Sequence, residues 1–207
     1  MRDLKIEMKN KKFTLNAGLL AALFLLTPAA SPVAVATATL TTAAPARAAS
    51  NEAEARGTIE RAFQQLKGGD FNSLYEVLPS ASQRRVTRER FVGALERTRG
   101  MYELERLEIG AVRVAGDLGM ADSVVYGRVR APFAGEAKIV ARQYLVREGG
   151  RWRVTTGDAT TVRPLLAANP AFAKKYPFTQ PRAYLKQNGK WVDFSGMLRR
   201  GVRARAK

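Results

Sequence analysis

Apolar residues recur at helical spacing in the segment that follows residue 50. Asn51 and Glu54 have the spacing of a capping box, in which two side chains satisfy backbone N–H groups where a helix begins. The apolar positions after it lie three or four residues apart, on one helix face. They are Ile59, Ala62, Phe63 and Leu66. Gly68 and Gly69 are typical of a helix end, so the pattern predicts a first helix between Asn51 and Gly68.

Two further helices are predicted before any strand. Asp70 is a typical N-cap residue, and the helix that it opens would end before Pro79. Thr87 is the N-cap predicted for the third helix, which would end at Gly100. The apolar faces of these two helices contain Phe71, Leu74, Tyr75 and Leu78, followed by Phe91, Val92 and Leu95.

After Tyr102 the pattern changes to β-rich runs separated by glycine-containing turns. The runs cover about 104–115, 121–131, 136–147 and 151–156. Because the links between them are short, they favour antiparallel hairpins over crossover connections. The predicted fold class is therefore α+β, with three amino-terminal helices packed on a curved four-stranded antiparallel meander and a carboxy-terminal extension.

The turns also predict which residues pair across the strands. A five-residue loop at 132–136 and a two-residue turn at Gly149 and Gly150 would give one mostly apolar face, packed on the helices, and one polar face. The predicted pairs include Val129 with Ile139, Arg130 with Lys138, Leu145 with Val154, Arg147 with Trp152, and Ala141 with Asp158. The polar face would contain Tyr126, Arg128, Arg130, Lys138, Arg142 and Arg153.

The order of these elements resembles the nuclear transport factor 2-like superfamily, which has a cystatin-like, cone-shaped fold of the SnoaL and ketosteroid isomerase type. The likeness rests on the helix–break–helix at 63–71, the Thr87-x-x-x-Phe91 pattern and the closing segment 149–154. It covers about 52–158 and carries no catalytic signature. The resemblance implies a pocket between the helices and the concave face of the sheet. It also implies a bacterial member, either an exported ligand-binding or accessory domain or an isomerase-like enzyme.

Four residues are candidates for that pocket. In the predicted register Asp158 points to the apolar face near Gln143, Trp152 and Tyr75, so all four are candidate ligand-binding residues. A carboxylate in such surroundings would have a raised pKa and could act as a proton-transfer base. Alternatively, Asp158 lies beyond the strand end and caps the chain there, without a catalytic role.

The amino-terminal segment has the parts of a secretory signal peptide. Residues 1–12 are rich in lysine, residues 15–26 are apolar, and Ala46-x-Ala48 has the form of a cleavage site. This predicts an exported protein, periplasmic or secreted, with an alternative start at Met8. An uncleaved anchor is the other interpretation. The predicted organisation is 1–48 signal peptide, 49–158 folded domain, 159–196 basic and aromatic extension with a helix and hairpin, and 197–207 disordered basic tail.

The amino-acid composition excludes several kinds of catalytic group. The 207 residues include no Cys and no His, which excludes disulfides, thiolate nucleophiles and imidazole bases. A metal site would have to consist of oxygen ligands alone. We expect no metal and no cofactor. The formal net charge is +17, and removal of residues 1–48 would leave most of that excess in place.

The excess of basic residues suggests that the protein binds a polyanion. An exported protein would seldom meet nucleic acid, so anionic lipid or another envelope polymer is the expected polyanion; the alternative is a solvated face. The candidate anion-binding residues are Arg128, Arg130, Lys138, Arg142 and Arg153 on the sheet, with Arg199, Arg200, Arg203, Arg205 and Lys207 in the tail.

These observations predict an exported, non-catalytic binding or accessory domain. It would hold a small apolar or amphipathic ligand, or an envelope protein, and associate with anionic surfaces through its tail. The alternatives are an isomerase- or dehydratase-like enzyme that uses Asp158, and a structural or assembly protein that dimerises through its sheet. Both a monomer and a homodimer are compatible with the sequence.

Overall fold

The helices and the sheet are described in a computed structural model, which covers residues 44–130 and 134–196. Most of the predicted signal peptide and the whole predicted tail at 197–207 lie outside the described residues. Within the described ranges no helix combines the length and the apolar character needed to cross a membrane.

Among the residues that the structure describes, four helices precede the first strand. They are α1 (Ala44–Gly68), α2 (Phe71–Glu76), α3 (Ser80–Gln83) and α4 (Arg88–Arg99). The prediction of three was wrong in number, because Pro79 is followed by the extra single turn α3.

The predicted caps of α2 and α4 form, whereas that of α1 does not. The Asp70 side chain accepts a hydrogen bond from the Ser73 N–H (3.1 Å), and Thr87 caps α4 in the same way. Asn51 lies inside α1, since the alanine-rich residues before it continue the helix. Its side-chain oxygen accepts a hydrogen bond from Arg147 Nη1 (3.0 Å) instead.

In the described part of the chain, one antiparallel sheet contains six strands, not the predicted four. They are β1 (Tyr102–Ala115), β2 (Leu118–Val129), β3 (Gly135–Glu148), β4 (Arg151–Val154), β5 (Arg182–Gln187) and β6 (Lys190–Asp193). The sheet order is β1-β2-β3-β5-β6, and β4 pairs with β3 as well. Thus β4 and β5 share one edge of β3, with β5 along 137–140 and β4 along 145–148. Helices with an antiparallel sheet confirm the α+β class.

The predicted register is correct for β3–β4 and wrong for β2–β3. Leu145 lies opposite Val154 as predicted, but Ile139 lies opposite Val125 instead of Val129. This four-residue displacement places Arg142 opposite Asp122, with 2.9 Å between Nε and Oδ1. It also places Lys138 opposite Tyr126, whereas the predicted register opposed Lys138 to the like charge of Arg130. Because the displacement is even, every side chain of β2 and β3 keeps its predicted face.

Helices cover both faces of the sheet. On the inner face α1 packs on a cluster that includes Ala55, Ile59, Val112 and Leu145. On the outer face α5 (Ala159–Ala167) and α6 (Pro170–Lys175) cover the end around Met120 and Tyr144, which is fully buried. A dimer formed through the sheet would therefore have only the remainder of this outer face available.

Candidate functional site

A cavity of about 190 Å³ lies between the amino-terminal helices and the inner face of the sheet. The helices α1, α2 and α4 contribute apolar side chains to one side, for example Phe63, Leu74 and Leu95. The sheet contributes Val125 and Ile139 to the other side. The walls are therefore mostly hydrocarbon, as in pockets that take small apolar molecules.

Polar groups are concentrated at one part of the cavity wall, where β4 ends. They are Gln143 on β3 and the consecutive residues Thr155 and Thr156. Thr155 is 4% exposed, and its Oγ1 is buried without a hydrogen-bond partner. The Gln143 amide donates to Ser123 Oγ (3.4 Å), which leaves its carbonyl oxygen available at the same wall. The cavity thus offers the Gln143 amide oxygen to a ligand, whereas the Thr155 hydroxyl is buried out of reach.

The backbone fixes Thr155 at this position. Its N–H donates to the Tyr144 carbonyl (2.9 Å), which extends the β3–β4 ladder one residue beyond β4. Two residues later Gly157 adopts a φ of +74°, a conformation that glycine takes without steric cost. The chain can therefore leave the sheet at once for α5, and the two threonines stay against the cavity.

Tyr102 is the only ionisable residue among the described residues that line the cavity. Burial raises the pKa of its phenol, and the Thr98 hydrogen bond and the charge of Arg99 only partly oppose that shift. The phenol therefore stays neutral at physiological pH. In that form it can donate a hydrogen bond but is a poor base.

Of the four predicted pocket residues, only Gln143 lines this cavity. Tyr75 lies on α2 and is buried against α4. Its hydroxyl donates to the carbonyls of Val86 (2.9 Å) and Gln83 (3.1 Å). Trp152 packs with α1 in the core of the inner face. Both were misplaced because the prediction contained no α3 and did not specify how α1 crosses the sheet.

Asp158 does not point to the apolar face, which corrects the predicted register beyond Val154. It is the N-cap of α5: its Oδ1 accepts from the Thr161 N–H (2.9 Å), and the hydroxyls of Thr156, Thr160 and Thr161 also donate to it. Burial raises the pKa of this carboxyl, but those hydrogen bonds together lower it further, so the net pKa lies below its ordinary value. The prediction of a raised pKa was wrong, and the capping alternative describes the geometry.

The predicted basic face is largely neutralised by acids. Three of its arginines form ion pairs with β1 or β2, namely Arg128 with Glu105, Arg130 with Glu103 and Arg142 with Asp122. Lys138 lies over aromatic rings, with Nζ 4.6 Å from the centre of the Trp191 ring, and Arg153 donates to the Glu76 carbonyl. The tail candidates lie outside the described residues.

Sequence analysis did not find Thr155 and Thr156. The signal that could have indicated them is the run Thr155-Thr156-Gly157-Asp158, in which a glycine and a capping residue follow directly after a strand. Within the described ranges no group of three acidic residues is placed to hold a metal ion.

Comparisons with known proteins give similarity to solved structures only. No protein-family model matches the chain, and neither does any curated protein. One similar structure is an NTF2-like (nuclear transport factor 2-like) protein of unknown function from Pseudomonas putida, with 21% identity over 51% of this chain and 82% of that chain and a TM-score of 0.37. Another is an LEH-like epoxide hydrolase from M. tuberculosis, with 18% identity over 60% of this chain and 98% of that chain and a TM-score of 0.36.

A third similar structure has a ketosteroid isomerase-like fold and comes from Catenulispora acidiphila, in complex with trimethylamine. Its identity is 16% over 48% of this chain and 84% of that chain, with a TM-score of 0.32. The folds named for the first and third of these structures are of the kind that the sequence resembles. The identities and TM-scores are too low to carry an argument about ligand or activity.

Proposed function

We infer that the protein binds one small, uncharged and mainly apolar molecule in the cavity between α1, α2, α4 and the sheet. The observation that carries this proposal is the lining of the cavity, which is apolar apart from Tyr102, Gln143 and the two threonines where β4 ends. A cavity of about 190 Å³ is somewhat larger than one of ~150 Å³ that holds benzene.

The same geometry supports binding over proton transfer. An isomerase of the predicted type needs a carboxylate base at the ligand. The described lining residues include no carboxylate, and Asp158, the candidate base, is engaged in the α5 cap. Its lowered pKa also makes it a weaker base than an ordinary aspartate.

Export and association with an anionic envelope surface remain part of the proposal. They are supported by the lysine-rich and apolar segments before residue 27 and by the basic residues after 198. Cosedimentation with anionic vesicles tests the tail, by comparison of the full chain with one that ends at Gly196. We expect the shorter chain to bind less and the binding of the full chain to fall with salt. Equal, salt-insensitive binding by both would remove this part of the proposal.

A matched pair of probes tests the cavity. Cyclohexanone and methylenecyclohexane have the same shape, but only the ketone accepts a hydrogen bond. NMR titration of the wild-type protein should shift resonances of cavity residues with both probes, and the ketone should bind several-fold more tightly. The Tyr102→Phe variant removes the neutral phenol from the cavity wall and should abolish that preference.

A second variant tests the location of binding. Ala141 lines the cavity, so Ala141→Leu should fill it and prevent binding of both probes. Ala115→Leu introduces the same side chain at an exposed position at the end of β1 and should bind like the wild type. If neither probe perturbs the cavity residues of the wild-type protein, the proposed function is wrong.

A further inference from the structure

The positive charge of the chain is concentrated after Asp158. Residues 159–207 contain eleven lysines and arginines and a single acid, Asp193, whereas residues 49–158 contain eighteen basic and fifteen acidic residues. The described part of this basic segment, 159–196, forms α5, α6, β5 and β6. Of its cations only Lys186 takes part in an ion pair among the described residues, with Glu136. The segment is therefore a folded, positively charged part of the domain.

Three of these cations are exposed on α5 and α6, next to two aromatic rings. The Arg163 Cζ lies 5.7 Å from the centre of the Phe178 ring, and the Lys175 Nζ lies 5.4 Å from the centre of the Tyr176 ring. Lys174 precedes Lys175 in the last turn of α6 and is exposed as well. We call these five residues the α5–α6 patch. It combines cations with half-buried aromatic side chains.

The sheet holds the patch in place on its outer face. The Pro177 carbonyl, between the two aromatic residues, accepts hydrogen bonds from the Tyr144 hydroxyl (2.8 Å) and from Arg142 Nη1 (3.3 Å). Tyr176 and Phe178 also pack against the cluster that contains the fully buried Tyr144. The patch thus belongs to the rigid surface of the domain, on the opposite side of the sheet from the apolar cavity.

The acids near the patch are already engaged. Asp158, where α5 begins, is 4% exposed and accepts hydrogen bonds from three threonines. Asp122 is paired with Arg142, with 2.9 Å between Oδ1 and Nε. Within the described ranges no ion pair involves Arg163, Lys174 or Lys175. The charge of these three side chains is therefore available to an anionic partner.

We propose that the α5–α6 patch lies against an anionic phospholipid bilayer. Each lysine or arginine near such a surface adds to binding, and aromatic side chains are typical of the headgroup region. Single-stranded nucleic acid fits less well, because it needs open ring faces for base stacking and a cation lies over each of these rings. The contact turns the inner face of the sheet, with its cavity, away from the lipid.

This proposal adds a folded contact to the membrane association proposed for the tail. The patch and the tail are different parts of the chain, so either proposal can fail without the other. The tail is tested by the chain that ends at Gly196, whereas the patch is tested by charge changes within the full chain.

Two double variants of the full chain test the patch. Vesicles contain phosphatidylcholine and phosphatidylglycerol in equal parts, and binding is measured by cosedimentation. Lys174→Gln with Lys175→Gln should weaken binding roughly tenfold or more. Arg90→Gln with Arg97→Gln removes the same charge at exposed positions on α4 and should have little effect. Thermal unfolding followed by circular dichroism checks that both variants fold.

The outcomes separate the possible partners. Equal weakening by the two double variants would show an effect of net charge alone and overturn the proposal, as would unchanged binding by the α6 variant. Either result, with the full chain still binding more than the chain that ends at Gly196, would overturn the patch and leave the tail. If the α6 variant loses affinity for oligodeoxythymidylate but not for vesicles, the occupant is nucleic acid and the proposal is wrong.

The orientation on the bilayer can be measured separately. Because the chain contains no cysteine, one introduced thiol can carry a polarity-sensitive fluorophore. Gln180 is exposed two residues after Phe178, and Gln64 is exposed on α1. The vesicles should shift the emission of labelled Gln180→Cys to the blue and leave that of labelled Gln64→Cys unchanged. Equal shifts at both positions, or a shift at Gln64→Cys alone, would refute the proposed contact.

Discussion

Replacing Asp158 by alanine distinguishes a helix cap from a catalytic base. In the structure its carboxylate accepts hydrogen bonds from the Thr161 N–H (2.9 Å) and the Thr161 hydroxyl (2.7 Å), and from the hydroxyls of Thr156 and Thr160. The side chain is 4% exposed, so water replaces these bonds poorly. We therefore expect Asp158→Ala to act on stability.

The size of the effect follows from the contacts that are lost. Loss of an N-cap costs about 1 kcal/mol, and each hydrogen bond to a charged group contributes roughly 1.5–3 kcal/mol. The Thr156 and Thr161 hydroxyls lie 3.0 Å apart and can bond each other once the carboxylate is gone, which recovers part of the loss. A net destabilisation of about 3 kcal/mol is expected, or a decrease of roughly 6–12 °C in Tm for a domain of this size.

The pH dependence of the stability shows whether the charged Asp158 carboxylate stabilises the folded state. Because hydrogen bonding holds the folded-state pKa of Asp158 below its ordinary value, its contribution is complete above the unfolded-state pKa and is lost as the pH falls through the folded-state pKa. Thermal unfolding followed by circular dichroism should therefore show a large difference between the wild type and Asp158→Ala at pH 7 and a smaller one near pH 3.

A matched variant completes this experiment. Asp117 lies exposed in the turn between β1 and β2, and Asp117→Ala should change the free energy of unfolding by only ~0.5 kcal/mol or less. An Asp158→Ala protein as stable as the wild type at pH 7, or a stability difference that does not change with pH, would refute the capping argument.

Two further predictions concern close packing and a buried phenol. At Gly127 a Cβ would lie 2.3 Å from the Glu103 carbonyl oxygen, so Gly127→Ala should destabilise by about 2 kcal/mol in urea unfolding, and unchanged stability would contradict that register. Tyr144→Phe removes the hydrogen bond from the hydroxyl to the Pro177 carbonyl (2.8 Å) and should cost about 1 kcal/mol by the same assay. A gain in stability from Tyr144→Phe would show that this hydrogen bond contributes nothing.

Local chemistry explains which predictions succeeded. Asp70 and Thr87 were identified as caps because a capping side chain bonds only the next few N–H groups. The β3–β4 register followed from Gly149 and Gly150, both with positive φ, since a two-residue turn fixes the pairing of the strands beside it. Such interactions are contained in a short stretch of sequence.

Predictions that depended on distant residues were less successful. The β2–β3 pairing brings Arg142 opposite Asp122, twenty positions away in the sequence. The β1 acids that pair with Arg128 and Arg130 were not placed beside them either. Both partners were missed because a sequence pattern gives the face of a side chain but not its partner across the sheet.

The amino-acid sequence by itself determined the element types, the α+β class, the alternation of inward and outward side chains, and the absence of thiol and imidazole chemistry. Only the tertiary structure decided that Asp158 caps a helix while Gln143 lines an apolar cavity, although the predicted register placed both in one pocket. The physical reason is that burial and hydrogen-bond satisfaction depend on how distant elements close around a residue. The chemistry of a candidate site is determined at that level, whereas caps and turns are determined by their neighbours in the chain.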